Sequence, residues 1–175
     1  GTITLDVTPE NEAPTATNTD QTVEFAEDAS ATTLTTIVVS ENDSIQASTD
    51  TTTASDETTD ETVTVSIVLS DSSAGSFSAD TGSGESFSSG TWSISGVSVT
   101  TANTALASLT YTPAENYDKD TSATITIEDA DGLSASGTIT LDVTPENEAP
   151  TATNTDQTVE FAEDASATTL TTIVV

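Results

Sequence analysis

Residues 1–39 and residues 137–175 are the same string of letters, GTITLDVTPENEAPTATNTDQTVEFAEDASATTLTTIVV, displaced by 136 positions. A period of this size is a whole domain, because solenoid repeats run at roughly 20–50 residues. The chain therefore reads as one full period followed by the opening of the next, a window on a tandem array. By this reading residues 1–8 are the last strand of a preceding repeat and 9–15 a linker. Residues 16–144 are a complete repeat, 145–150 a second linker, and 151–175 the first strands of the following repeat. The window is internal, so its lack of a leader is silent on export.

Within a period the apolar residues are mostly Val, Ile, Leu and Ala, and Thr and Ser dominate the rest. β-Branched residues in short runs between turn-formers favour strands. Seven strands are predicted, at 21–26, 33–39, 62–70, 91–100, 107–112, 121–128 and 135–143. Period-two alternation is clearest in Ala123-Thr124-Ile125-Thr126-Ile127 and through Ile139, Leu141 and Val143. The fold class expected is all-β, an antiparallel Greek-key sandwich of immunoglobulin or cadherin-like type with about seven strands per repeat; a barrel is the alternative. Residues 41–61 read as a long polar loop, and Thr101–Ser108 as one helical turn with Ala and Leu inward. Trp92 and Tyr111 are expected in the core, with a sugar-stacking role as the alternative.

Charge excludes several functions. Thirty Asp and Glu face one basic residue, Lys119, for a formal net charge of −29. Phosphate backbones and anionic headgroups repel such a chain, so neither nucleic acid nor membrane insertion is expected of it. The absence of Cys and His removes disulfides, thiol nucleophiles, imidazole bases and the usual zinc ligands. Oxygen ligands remain. Acid pairs alone do not argue for glycoside hydrolysis when thirty acids are present. With no Ser-His-Asp arrangement and no glycine-rich phosphate loop, no enzyme is expected. Lys119, in an Asp-Lys-Asp loop, suits an ion pair better than an isopeptide bond, and Asn42-Asp43-Ser44 fits a glycosylation sequon.

Several stretches carry a family likeness. Gly90-Thr91-Trp92-Ser93-Ile94-Ser95-Gly96, the run Asn103 to Pro113 with its Tyr111-Thr112-Pro113, Asn116-Tyr117, Glu128 to Gly132, and Val143 to Pro150 resemble tandem cadherin-like and immunoglobulin-like repeats of giant bacterial surface adhesins. Glu148 stands where that family's linker has Asp. The resemblance covers most of one period, and implies an extracellular, calcium-stiffened stalk or fibre of a bacterial surface or matrix.

Strand parity sorts the acids without reference to a family. If seven strands alternate in direction, Glu27, Asp28, Asp71, Asp118 and Asp120 fall at the downstream end with the linker Glu146-Asn147-Glu148. Glu41, Asp43, Asp129 and Asp131 fall at the upstream end with Glu10-Asn11-Glu12. Head-to-tail stacking would concentrate carboxylates at each joint. Ca²⁺ takes roughly six to eight oxygens in irregular geometry and suits such a set better than Mg²⁺ does. The expectation is a structural repeat with Ca²⁺ at its junctions and identical repeats as partners. Alternatives are an adhesive module for carbohydrate or cell-surface glycans, and a filament assembled by strand exchange, for instance through Thr138 to Val143.

Overall fold

A computed structural model describes residues 1, 3, 11–41 and 62–175. Most of the predicted strand at 1–8 and most of the polar loop, with its sequon, lie outside the described residues. Two compact units emerge, Gly1–Pro145 and Glu146–Val175.

The first unit is an all-β sandwich. Its strands are β1 (Thr15–Thr17), β2 (Gln21–Ala26), β3 (Thr32–Thr33), β4 (Val38–Ser40), β5 (Thr62–Leu69), β6 (Gly75–Ser78), β7 (Ser86–Ser88), β8 (Thr91–Ser98), β9 (Thr110–Pro113), β10 (Thr121–Asp129) and β11 (Ser134–Thr144). One helix, α1 (Val99–Ala107), follows β8. A six-stranded sheet runs β2-β11-β10-β5-β8-β7, facing a three-stranded sheet β3-β9-β6, with β1 and β4 paired apart. Six of the seven predicted strands coincide with β2, β5, β8, β9, β10 and β11. The run predicted at 33–39 is split into β3 and β4. The three strands not predicted, β1, β6 and β7, are three or four residues long, too short for alternation to register.

β2 pairs with β11 in parallel, from Gln21 opposite Ile139 to Ala26 opposite Thr144. The other ladders are antiparallel. Alternation of direction requires this exception: the first and seventh long strands point the same way, so as neighbours they must pair parallel.

Every second residue of the long strands turns inward. Val63, Val65, Ile67 and Leu69 of β5, Trp92 and Ile94 of β8, Ala123, Ile125 and Ile127 of β10, and Ile139, Leu141 and Val143 of β11 are buried. Phe77 and Tyr111 meet them from the small sheet, Leu109 joins them from just before β9, and Ala102, Ala105 and Leu106 of α1 close one end. Tyr111 lies between Phe25 and Phe77, with ring centroids 5.2 and 5.1 Å away. Its hydroxyl donates to Ala74 O at 2.7 Å, and burial pushes its pKa well above the usual phenol value. Trp92 and Tyr111 are thus core residues. Among the described residues no helix is long and apolar enough to cross a membrane.

In Glu146–Val175 the letters of β2 and β3 form no ladder; a single antiparallel bridge, Thr153 to Val174, is present. The reason is topological. In the first unit these strands pair with β11 and β9, whose sequences have no counterpart within residues 146–175.

Candidate functional site

At the upstream end the site is built on Asp129, the last residue of β10, where the chain turns into β11. Its backbone N–H donates to Leu133 O at 3.0 Å, and Gly132, at φ 90°, takes the left-handed turn position open to a residue without Cβ. The side chain caps this turn: Oδ1 accepts from the N–H groups of Asp131 at 3.0 Å and Leu133 at 2.9 Å. Oδ2 accepts from Asn11 Nδ2 at 3.0 Å, which ties the linker to a residue 118 positions away. Asp129 is 5% exposed. Burial pushes its carboxyl up, but the hydrogen bonds from Asn11, Leu133, Asp131 and Gly132 together outweigh it and hold the group below the ordinary aspartate value. Asp131 and Glu12 are exposed, whereas Pro14 is buried. Glu41 is half-buried and follows Ser40, which pairs with Thr15, so it stands one step from the linker. Glu10 and Asp43 lie outside the described residues.

The downstream end of the same unit gathers a second group. After β2 the chain turns through Asp28, at φ 59°, and Ala29 N–H donates to Ala26 O at 3.1 Å. Asp28 Oδ1 accepts from Asn116 N–H at 2.7 Å, joining this turn to the one after β9. The buried Glu27 extends the β2–β11 pairing by one bond, from its N–H to Thr144 O at 2.9 Å. Asp120 Oδ1 accepts from Val143 N–H at 2.9 Å. Asp71 accepts from Ser73 N–H at 2.9 Å, Ser73 Oγ at 2.6 Å and the Tyr117 hydroxyl at 3.1 Å. The Ser73 bonds hold Asp71 below the ordinary carboxylate value against a smaller opposing effect of burial, with lesser help from Tyr117 and Lys119. Asp118 and Lys119 are exposed.

The structure thus links Asn11, Asp129 and Asp131 at one end, and Glu27, Asp28 and Asp120 to their neighbouring turns and strand at the other. Glu146, Asn147 and Glu148 open the second unit, are exposed, and follow Pro145 directly in the chain. Asn147 Nδ2 donates to Glu148 O at 3.4 Å. Asp129, Asp28 and Asp71 cap turns; Asp129 Oδ1 and Asp71 Oδ1 each accept two hydrogen bonds, whereas Asp129 Oδ2, Asp71 Oδ2, Asp28 Oδ1 and Asp120 Oδ1 accept one apiece and keep a lone pair for a further ligand. Such a set, all oxygen, fits a hard cation.

Two polar anchors escaped sequence reasoning. Asn103 on α1 donates to Val39 O at 2.9 Å and accepts from Val39 N–H at 2.7 Å, taking the place of a strand partner for β4. A polar residue beside the inward Ala102, Ala105 and Leu106 was the available signal. Glu85 caps the 80–85 loop, accepting from Thr81 Oγ1, from Thr81 N–H at 3.3 Å and from Ser83 N–H at 2.8 Å.

No protein-family model matches the chain. No curated protein matches it. A solved structure of protocadherin gamma B2 extracellular cadherin domains 3–6 is similar over 75% of this chain, at 15% identity and a TM-score of 0.35. The chain spans 25% of that structure's length.

Proposed function

We propose that this chain is a repeat of an extracellular fibre or adhesin stalk on a bacterial surface or in its matrix, with Ca²⁺ at each junction between repeats. The observation that carries the reading is the hydrogen bond from linker residue Asn11 to the buried carboxylate of Asp129. It makes the upstream linker part of the domain that follows and leaves Asp131 and Glu12 beside it. At the other end, Glu27 and Asp28 stand where Thr144 delivers the chain into Glu146-Asn147-Glu148. At one joint Asp129 and Asp131 of one repeat, Glu27 and Asp28 of the repeat before it, and the single Glu-Asn-Glu linker between them, which is Glu10-Asn11-Glu12 upstream of this repeat and Glu146-Asn147-Glu148 downstream of it, would supply oxygens. A bound divalent cation contributes neutralisation of these charges. Residues 145–150 are read as the linker and 151–175 as the first strands of the next repeat.

Titration calorimetry of Ca²⁺ into a two-repeat protein tests the proposal. Binding heat and a melting temperature that rises with Ca²⁺ are expected, with weaker effects from Mg²⁺ and from the Asp129→Asn variant. No heat, with a melting temperature indifferent to chelator, would sink it.

One observation favours a second, adhesive reading. Across the outer face of the large sheet the register aligns Ser86, Ser93, Ser66, Thr126 and Ser136 in one uncharged hydroxyl row. Neutral glycans are the ligands such a face suits. Selective binding of the chain on a glycan array would support this role, and uniform silence would remove it.

A further inference from the structure

The turn from β10 into β11 runs Asp129-Ala130-Asp131-Gly132-Leu133 and holds the one Asp-Gly pair in the sequence. The fold treats its two aspartates oppositely. Asp129 is buried, and its oxygens accept from Asp131 N–H, Leu133 N–H and Asn11 Nδ2. Asp131 is exposed, and among the described residues no hydrogen bond holds its carboxylate. The carboxylates of Asp20, Asp28, Asp71 and Asp120 are, like that of Asp129, engaged by N–H donors.

The backbone nitrogen that follows Asp131 is equally open. Gly132 has no Cβ, and one placed there would meet nothing within 4 Å. Its N–H makes the longest bond of the turn, 3.4 Å to Asp129 O, whereas Asp129 N–H, Asp131 N–H and Leu133 N–H bond at 3.0, 3.0 and 2.9 Å. An unheld carboxyl and an unshielded amide nitrogen in adjacent residues are the reactants of a cyclisation that needs no enzyme, since the chain itself keeps them together.

We propose that Asp131–Gly132 is a site of spontaneous modification, where aspartate isomerises to isoaspartate in the folded protein and thereby loosens the upstream linker. Gly132 N attacks Asp131 Cγ; the new N–Cγ bond closes a five-membered imide, and the carboxyl hydroxyl leaves with the amide proton as water. Water then adds at the Asp131 main-chain carbonyl carbon, and the old peptide bond to Gly132 breaks. Opening at Cγ instead restores aspartate. Atoms and charge are those of the starting chain, no electrons are exchanged, and water is the one co-reactant. What changes is the backbone, which now runs through Asp131 Cβ and Cγ and is one carbon longer. Four hydrogen bonds close this short turn, so an added carbon displaces them together. Two of the three donors to Asp129 belong to that set. Their loss leaves a buried carboxylate with Asn11 alone and draws water to it, and water competes for the bond that fixes the linker. The inference goes beyond the calcium reading: its chemistry needs no cation, and its test is run in chelator so that the two fail separately.

The unaltered chain is aged at neutral pH in chelator, folded and, in parallel, in denaturant. Isoaspartate is located by peptide mass spectrometry after digestion with a protease that cleaves before Asp but not before isoaspartate. At Asp131 the folded rate should lie within about tenfold of the denatured rate, whereas at Asp71, whose carboxylate is held, folding should slow isomerisation by more than about tenfold. Folded chains carrying isoaspartate, enriched by ion exchange, should melt below fresh chains, and their Asn11 side-chain amide protons should exchange faster. Asp131→Glu keeps the carboxylate but would have to close a less favourable six-membered ring. It should match its own fresh sample after ageing. Isoaspartate that forms at Asp131 in denaturant alone overturns the site. Enriched chains whose melting and Asn11 exchange equal those of fresh protein overturn the loosening of the linker.

Discussion

At Ala74 and Gly75 neighbouring substitutions have costs set by different physics. Ala74 O accepts from the Tyr111 hydroxyl at 2.7 Å and from Ala114 N–H at 2.9 Å, so Tyr111→Phe leaves the carbonyl one partner. The expected loss is about 1 kcal/mol in denaturant unfolding. Gly75, at φ 155°, has no room for a Cβ, which would meet the Thr112 carbonyl and, at 2.7 Å, the Tyr111 hydroxyl. Gly75→Ala should cost at least about 2 kcal/mol, since backbone must move. Glu85 supplies a pH dependence. Its bond from Thr81 leads the hydrogen bonds that hold the carboxyl below the ordinary glutamate value, against burial. A depressed folded pKa contributes stability above the unfolded value of about 4.3, lost as pH falls through the folded one. Glu85→Gln should therefore lower the melting temperature slightly at pH 7, and the gap to the unaltered protein should close below about pH 4.

Among elements, the β2–β11 pair carries an avoidable repulsion. Glu24 lies opposite Asp142, both exposed, in the register that buries Val23, Phe25, Leu141 and Val143 on the other face. Like charges directly opposite across strands are destabilising. Glu24→Gln is expected to stabilise the domain by about 0.3–1 kcal/mol at low salt, and the gain should fade near 1 M NaCl as screening shortens. An unchanged gain would mean that propensity or packing, rather than charge, was responsible. The same pair shows why the strand assignments were legible. Period-two alternation in β10 and β11 follows from one buried face, and burial requires no knowledge of the partner. β6 and β7 carry one inward-facing Phe apiece at most and owe their pairing to β9 and β8, so no local pattern announced them.

For the whole molecule, −29 charges on 175 residues make ionic strength a structural variable. Raising NaCl from about 10 mM to 150 mM, which shortens the Debye length from about 30 Å to 8 Å, should raise the melting temperature by several degrees. A flat response would show that repulsion is already relieved within the fold. Parity of seven strands sorts the acids by the loops that carry them. It did not anticipate that Asp129 is buried and bonded to Asn11, or that Asp28 caps the turn before Asn116. Those contacts span 118 and 88 positions and depend on how loops close over a finished sandwich. The repeated segment separates the two kinds of information within one chain. The bonds from Asn18 and Gln21 to the backbone of Thr35 and Thr36, the left-handed Asn and Asp and the Ala-to-Ala turn appear in both copies, because their partners lie within 18 residues and the same letters supply them. Burial of the segment's Phe, Leu and Ile occurs only in the first copy, because an apolar side chain leaves water only where distant strands complete the core.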